Sequence, residues 1–209
     1  MSVINKIAYY QNQRSDVPNQ KLARELAASK DRDGVREIAE GLWNKDKNIQ
    51  SDCLKVLYET GYLDPALVAD YVGDFLKLLK NRNNRLVWGA MIALSTIADL
   101  QAEAILPHFE EIRQVMESGS VITMDNGVKA LALVASRNPA YNQKIFPYLL
   151  DHLSTCRPKE VPQHAEKSLP AVTAGNKSDF IRVIEKRLED MTDPQVARLK
   201  KVIKIAQKR

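Results

Sequence analysis

The sequence predicts an all-helical protein in which one helical hairpin is repeated along the chain. The chain has 209 residues, of which 44% are hydrophobic and 27% are charged. These shares are typical of globular proteins. Only 8 glycines and 9 prolines are available for turns, which is too few for the many tight turns of an all-β fold. The longest apolar run, from Ala130 to Ala135, is far shorter than the ~20 residues of a membrane-spanning helix, so we expect no membrane span.

A repeat of about 37 residues organises the chain. Four leucines follow one another at intervals of 37, 37 and 38 residues, namely Leu57, Leu94, Leu131 and Leu169. Small residues stand four positions before them, at Cys53, Ala90, Gly127 and Ala165. A spacing of four places both series on one helical face, where small side chains let a neighbouring helix approach closely.

A second pair of series has the same period and marks the other helix of each hairpin. The first of these series is Val35, Val72, Phe109, Phe146 and Ile184. The second is Leu42, Leu79, Met116, Leu153 and Met191. Ordinary helical periodicity explains intervals of three, four and seven residues, but it does not explain a recurrence at 37 residues.

Apolar periodicity and capping signals together predict the individual helices. Asp64-Pro65 and Asp193-Pro194 each place a capping residue before a proline that suits the first turn of a helix. A break at Gly175-Asn176 precedes another helix. The predicted helices, in chain order, are 18–29, 33–44, 48–61, 64–80, 83–98, 102–117, 120–137, 141–154, 158–173, 177–190 and 194–208.

The segments between these helices are short. Connections such as 81–84 and 118–120 leave no room for a crossover, so consecutive helices are expected to be antiparallel neighbours. Ahead of the first long helix, the apolar residues Val3, Ile7 and Tyr10 predict a short capping helix. The chain is therefore expected to fold as one continuous domain.

Parts of the repeat resemble HEAT repeats. In that family the first helix carries leucines around a proline, and residues 145–150 (Ile-Phe-Pro-Tyr-Leu-Leu) and 105–107 (Ile-Leu-Pro) look like it. The second helix carries apolar, small and leucine positions spaced by four. The positions that look like the second helix are Leu86, Ala90, Ala93 and Leu94, and again Val161, Ala165, Ser168 and Leu169. The resemblance covers about residues 31–191.

The resemblance implies a right-handed α-solenoid of about five HEAT/armadillo-like hairpins. Asp31 and Arg36 fit the aspartate and arginine that HEAT units carry. The later arginine positions hold Gln50, Val87, Met124 and Pro162, so both the HEAT and the armadillo type stay open. The implied organisation is a single domain over 1–209. It consists of an N-terminal cap at 1–30, repeats at 31–191 and a basic capping helix at 192–209.

The basic charge of the chain is concentrated at its end. The formal net charge is +5, and residues 191–209 hold six basic residues against Asp193 alone. A nucleic-acid groove needs cations spread along it, because affinity comes from neutralising successive phosphates. The body of the chain has no such surplus, so its charge does not favour nucleic-acid binding.

The sequence predicts a polar stripe on the second helices, which in such solenoids line the concave surface. The stripe comprises residues two, five and six positions before the repeat leucines, on the helix side away from the small residues. We predict binding by Asp52, Lys55, Trp88, Asp125, Asn126, Lys129, His164 and Lys167. Mixed charge with an aromatic anchor suits a peptide better than a phosphate backbone. The alternative is an ordinary solvated face with helical ion pairs.

Two other groups of residues are weaker candidates for a site. Four cations near the end of the chain are predicted as anion contacts or as the solvated side of a capping helix, namely Arg198, Lys200, Lys201 and Lys204. His152, Cys156 and His164 form a His/Cys cluster, and the spacing of four between the first two suits a metal if both face one way. Because no second ligand pair follows, we predict incidental surface residues and no metal.

The predicted function is a non-catalytic scaffold that binds a protein or peptide. No phosphate-cradling loop, nucleophile elbow or paired His-Glu metalloprotease helix is present in the sequence, so we expect no catalytic residues, cofactor or small-molecule substrate. The alternative is a nucleic-acid binder of the DNA-glycosylase type, because some HEAT-like proteins excise alkylated bases. The start of the chain shows no signal peptide and only 2 cysteines are present, so the expected location is cytoplasmic.

Overall fold

The computed structural model describes residues 2–209, and within them every regular element is helical. Met1, the first residue of the predicted N-terminal cap, lies outside the described residues. The helices are α1 (Val17–Ser29), α2 (Arg32–Glu40), α3 (Lys47–Leu63), α4 (Val72–Leu78), α5 (Asn84–Ile97), α6 (Ala102–Ile105), α7 (Phe109–Ser118), α8 (Val121–Ala135), α9 (Pro139–Thr155), α10 (Val161–Ser168), α11 (Lys177–Arg187) and α12 (Asp193–Gln207). The chain divides into two compact units, Met1–Gly127 and Val128–Arg209. The prediction of a single domain with two caps stays a prediction.

Prolines interrupt three of the predicted helices. The predicted helix 64–80 is wrong as one element, because 3-10 turns at Pro65–Leu67 and Ala69–Tyr71 precede α4. The predicted helix 102–117 is split by a 3-10 turn at Leu106–His108, and 158–173 has such turns at both ends. All of these turns except Ala69–Tyr71 contain a proline, which lacks the backbone N–H that a continuing α-helix needs.

In the first unit, the repeat positions form the core, except for Val72, which is half-buried. Leu57 and Leu94 are fully buried, as are Val35 and Leu42 of the other series. Helix α3 packs against both α1 and α5. The burial of both series explains why they recur, since each hairpin must cover the apolar side of its neighbour.

In the second unit, the core follows the same series as far as the last hairpin. Leu131, Leu153 and Ile184 are fully buried, whereas Leu169 and Met191 are half-buried. Helix α11 packs against α9 and α12, and α12 buries its apolar positions Leu199, Val202 and Ala206. Among the described residues, no helix combines the length and apolar character that crossing a bilayer requires.

The start of the chain is only partly as predicted. The expected capping helix is a 3-10 turn at Ile4–Lys6, followed by non-helical residues up to α1. Ile7 is fully buried, but Tyr10 is exposed. Asn19 of α1 is fully buried, and its Oδ1 accepts a hydrogen bond of 2.8 Å from the Ala8 N–H. This bond fixes the segment 8–16 against the first unit.

We predict that Gly61→Ala destabilises the protein. A Cβ at Gly61 in α3 would lie 2.2 Å from Thr96 Oγ1 and 3.0 Å from Thr96 Cβ in α5. Thr96 has little freedom to move, because it is β-branched and donates to the Ala93 carbonyl at 2.7 Å. The expected loss is about 1–3 kcal/mol in the free energy of unfolding, measured by urea denaturation.

Gly73→Ala in α4 is the matched control. A Cβ at Gly73 meets nothing within 4 Å, so alanine there is expected to be neutral or to stabilise by about 0.5–1 kcal/mol. Equal stability of the two variants would show that contact between α3 and α5 at Gly61 is not tight.

Candidate functional site

The polar stripe of the first unit is half-buried. Asp52, Lys55, Trp88, Asp125 and Asn126 are all only partly accessible. For Asp52, Lys55 and Trp88 the reason is that α3 packs closely against α1 and α5, so residues beside the packing face are covered at their bases.

Asp52 holds the N-terminal segment in place. Its two carboxylate oxygens accept hydrogen bonds from the Tyr9 N–H at 2.8 Å and from Asn19 Nδ2 at 2.9 Å. Asn19 in turn binds the Ala8 N–H. Asp52 therefore positions residues 8–16 beside α3, and both of its oxygens are engaged within the unit.

Lys55 lies at the centre of a charged cluster. Its side chain is 14% exposed, and its ammonium group pairs with Glu59 at 2.7 Å and with Asp16 at 3.6 Å. The ammonium also lies 4.9 Å from the centre of the Tyr58 ring. Burial opposes its charge, but hydrogen bonds to Glu59 and Tyr58 more than compensate and raise the pKa of Lys55. The lysine thus stays a cation at the edge of the protein.

Three aromatic rings adjoin this cluster. The centre of the Tyr58 ring lies 6.5 Å from that of Trp88 and 6.3 Å from that of Tyr62. Tyr58 is buried, Trp88 is half-buried and Tyr62 is exposed, so accessible aromatic surface rests on a fixed base. Trp88 is the tryptophan predicted from the sequence as a binding residue, although Trp43 is the more accessible tryptophan at 52%.

A cleft adjoins the aromatic rings and the charged cluster. It has a volume of about 670 Å³ and lies between the segment 8–16 and the ends of α3 and α5. Asp16 and Arg85 line it and also border the recess beside Trp88. Asp16 pairs with Arg85 at 3.9 Å as well as with Lys55. The three groups thus place both signs of charge next to accessible aromatic surface.

The end of the first unit contributes an amide to the stripe. Asn126 donates from Nδ2 to the Ile122 carbonyl at 2.8 Å, and its Oδ1 accepts from Ser95 Oγ at 3.3 Å. Asn126 therefore ties α8 to α5, while Val121 and Ile122 beside it are exposed.

In the second unit, one predicted stripe residue lies in the interior. His164 is only 1% exposed, so its expected place on an accessible surface is wrong. Lys129 and Lys167 are half-buried, and burial lowers the pKa of Lys129. As binding residues, Asp125, Asn126, Lys129 and Lys167 stay predictions.

His152, Cys156 and His164 come together in the second unit. His152 Nε2 lies 2.9 Å from His164 Nδ1, and the ligand atoms of all three residues lie within 4.8 Å of one another. Burial, together with the neighbouring His164, lowers the pKa of His152 to about 4, whereas Glu160 and Asp151 oppose that shift. The prediction of incidental surface residues is wrong for Cys156 and His164, because both are buried.

The basic cations of α12 differ in their surroundings. Arg198 donates to both carboxylate oxygens of Glu166, and its Nε lies 2.6 Å from one of them. Lys200, Lys201 and Lys204 are exposed. Arg198 is therefore engaged within the unit, whereas the three lysines face solvent and stay predicted anion contacts.

Sequence reasoning missed Tyr58, Asp16 and Arg85. Tyr58 and Tyr62 follow Lys55 by three and seven residues, a helical spacing that places them on its side of α3 and that would have found them. Asp16 gives no such signal, because the fold of residues 8–16 depends on contacts with Asp52 and Asn19, which are distant along the chain.

We predict that Asp52→Ala destabilises the first unit by about 1–3 kcal/mol, because it leaves the Tyr9 N–H and the buried Asn19 amide without their acceptor. Urea denaturation measures the loss.

The matched control is Asp70→Ala, since Asp70 is 78% exposed in its side chain and pairs with Arg32 only at 3.8 Å. Its expected effect is within about 0.5 kcal/mol. Equal losses in the two variants would contradict a structural role for Asp52.

Comparison with known proteins identifies the fold. No protein-family model and no curated protein matches the chain. Among solved structures, an engineered protein is 18% identical with a TM-score of 0.70, and the match covers 100% of this chain and 98% of the other. A designed armadillo repeat protein in complex with the peptide (KR)4 is 12% identical with a TM-score of 0.68, covering 90% and 85%.

Computationally designed armadillo repeat proteins for modular peptide recognition are also similar, at 12% identity and a TM-score of 0.65. That match covers 97% of this chain and 98% of the other. Likeness at such low identity establishes the fold and nothing finer. The predicted fold class is confirmed: the chain is an all-α helical-repeat solenoid of the HEAT/armadillo type.

Proposed function

We propose that this protein is a non-catalytic scaffold that binds a peptide segment of a partner protein. The proposed binding face belongs to the first unit and consists of Trp88 and Tyr62 with Asp16, Glu59 and Arg85 around them. The observation that carries the proposal is the contact of half-buried Trp88 with buried Tyr58 beside this charged group.

An aromatic side chain on a rigid base is a favourable anchor for a partner. Tyr58 is held by the core of the first unit, so Trp88 loses little conformational freedom when a ligand covers it. Tryptophan, tyrosine and arginine are the residues that contribute most to binding at protein interfaces. Their proximity here fits a hot spot of this kind.

The charges of the face suit a peptide better than a nucleic acid. Lys55 and Arg85 both pair with Asp16, so the acidic groups offset the positive field that a phosphate backbone needs. Polypeptides offer both signs of charge, as well as apolar side chains for the aromatic rings. The similarity to designed armadillo proteins that bind or recognise peptides supports the same class of partner.

The chemistry of the buried cysteine supports a non-catalytic role. Cys156 lies beside His152 and His164, an arrangement that resembles a nucleophile with its base. Burial raises the pKa of Cys156, whereas a catalytic cysteine needs a lowered pKa to form its thiolate. Cys53 and Cys156 are both free thiols, which fits the reducing cytoplasmic compartment that we propose.

A random peptide library displayed against the full-length protein tests the proposal. We expect it to yield peptides that Trp88→Ala binds about 30-fold more weakly, which corresponds to a hot spot of about 2 kcal/mol. Arg85→Glu is expected to change the selected charge at the adjoining peptide position from acidic to basic. Fluorescence polarisation with labelled peptides measures both effects.

The controls are Trp43→Ala and Arg82→Glu, which change exposed residues of the same types outside the proposed face. Trp43→Ala also leaves Trp88 as the one remaining tryptophan, so its emission reports binding at that position. If Trp43→Ala weakened peptide binding and Trp88→Ala left it unchanged, the assigned face would be wrong. Duplex-DNA binding that requires Trp88 and falls steeply with salt would favour the nucleic-acid alternative.

A further inference from the structure

The cluster of His152, Cys156 and His164 has the chemistry of a metal site. Its donors are two imidazole nitrogens and one sulfur, which are the donor types that Zn²⁺ prefers in proteins. The three donors come from two helices and their connection: His152 is in α9, Cys156 is the C-cap of α9, and His164 is in α10. The site therefore does not depend on one helix face.

The distances are close to those of a zinc site. Tetrahedral zinc with bonds of about 2.0–2.3 Å places its ligand atoms about 3.3–3.6 Å apart. Here the two nitrogens are 2.9 Å apart, and none of the three ligand atoms is more than 4.8 Å from another. Side-chain shifts of about an ångström convert the present arrangement into three zinc bonds.

The facing nitrogens already direct their bonding positions to one point. His152 Nε2 and His164 Nδ1 are 2.9 Å apart, so one imidazole donates its N–H to the lone pair of the other. A metal ion would replace that proton and accept a lone pair from each ring. Cys156 Sγ has a weak contact of 3.9 Å with the Leu153 carbonyl and a hydrogen bond with the Arg187 side chain, which a zinc-bound thiolate can keep. Metal binding therefore costs few protein hydrogen bonds.

The surrounding residues hold the ligands in place. Arg187 is buried and donates at 2.8 Å to each of the carbonyls of Leu153 and Cys156, so it fixes the end of α9 that carries the sulfur. Burial of Cys156 and His164 excludes most competing water from the ligand atoms.

From this geometry we propose that the second unit binds one Zn²⁺ ion through His152 Nε2, His164 Nδ1 and Cys156 Sγ. The thiol proton leaves to solvent as the thiolate–zinc bond forms, and no redox change takes place. A water molecule takes the fourth position. The zinc joins the end of α9 to α10, and this role is independent of peptide binding in the first unit.

Cobalt substitution in the full-length protein tests the site. After treatment with a chelator, titration with Co²⁺ alone is expected to produce the near-ultraviolet thiolate-to-cobalt absorption and the visible bands of tetrahedral cobalt, with one ion per chain. Added Zn²⁺ is expected to abolish both. Zn²⁺ is also expected to raise the Tm of the chelator-treated protein, since it binds the folded state.

Matched variants separate the site from adventitious binding. Cys156→Ser is expected to abolish the thiolate band, and His152→Ala is expected to weaken Co²⁺ binding at least tenfold. Cys53→Ala and His108→Ala remove the other cysteine and the other histidine of the chain and should leave both signals unchanged. Circular dichroism checks that each variant folds. Absence of the thiolate band in the wild-type protein overturns the proposal. A thiolate band that persists in Cys156→Ser also overturns it.

Discussion

Close contact between the second helices of successive hairpins is the constraint on which the first unit depends. Gly89 of α5 faces Leu54 of α3, and Gly61 of α3 faces Thr96 of α5, with no room for a Cβ at either glycine. Because the helices approach this closely, side chains beside the contact are covered at their bases. Lys55 and Trp88 are half-buried for this reason, and the same packing holds Tyr58 as a fixed base beneath Trp88.

The N-terminal segment completes the same region through polar contacts. Buried Asn19 and half-buried Asp52 bind successive backbone N–H groups of residues 8 and 9, and this brings Asp16 to Lys55 and Arg85. A segment predicted only as an end cap thus supplies one wall of the cleft and the anionic centre of its charged group. Stability of the repeat and composition of the candidate site are therefore not separate properties of this protein.

The repeat itself was predictable because it depends on volume and polarity, both of which are local properties of residues. Leucines and small residues at a period of 37 are buried as expected in both units, up to the half-buried Leu169 of the last hairpin. Breaks at Pro65 and Pro107 were also encoded locally but were overlooked, since the apolar pattern continues through them. Partners of Asp52 and Arg198 were not predictable, because the residues that bind them are more than thirty positions away.

One repeat position shows why an equivalent place in the repeat does not give an equivalent function. Five residues before the repeat leucines stand Asp52, Gly89, Asn126 and His164. Asp52 holds the N-terminal segment, and Gly89 permits close helix contact. Asn126 ties α8 to α5, and His164 pairs with His152. The position lies beside the helix-packing face, where Asp52 and Asn126 are half-buried and His164 is buried. A polar group placed there needs a specific partner, and each unit supplies a different one. The surroundings of each residue, and not its place in the repeat, determine whether its partner lies within the protein or outside it.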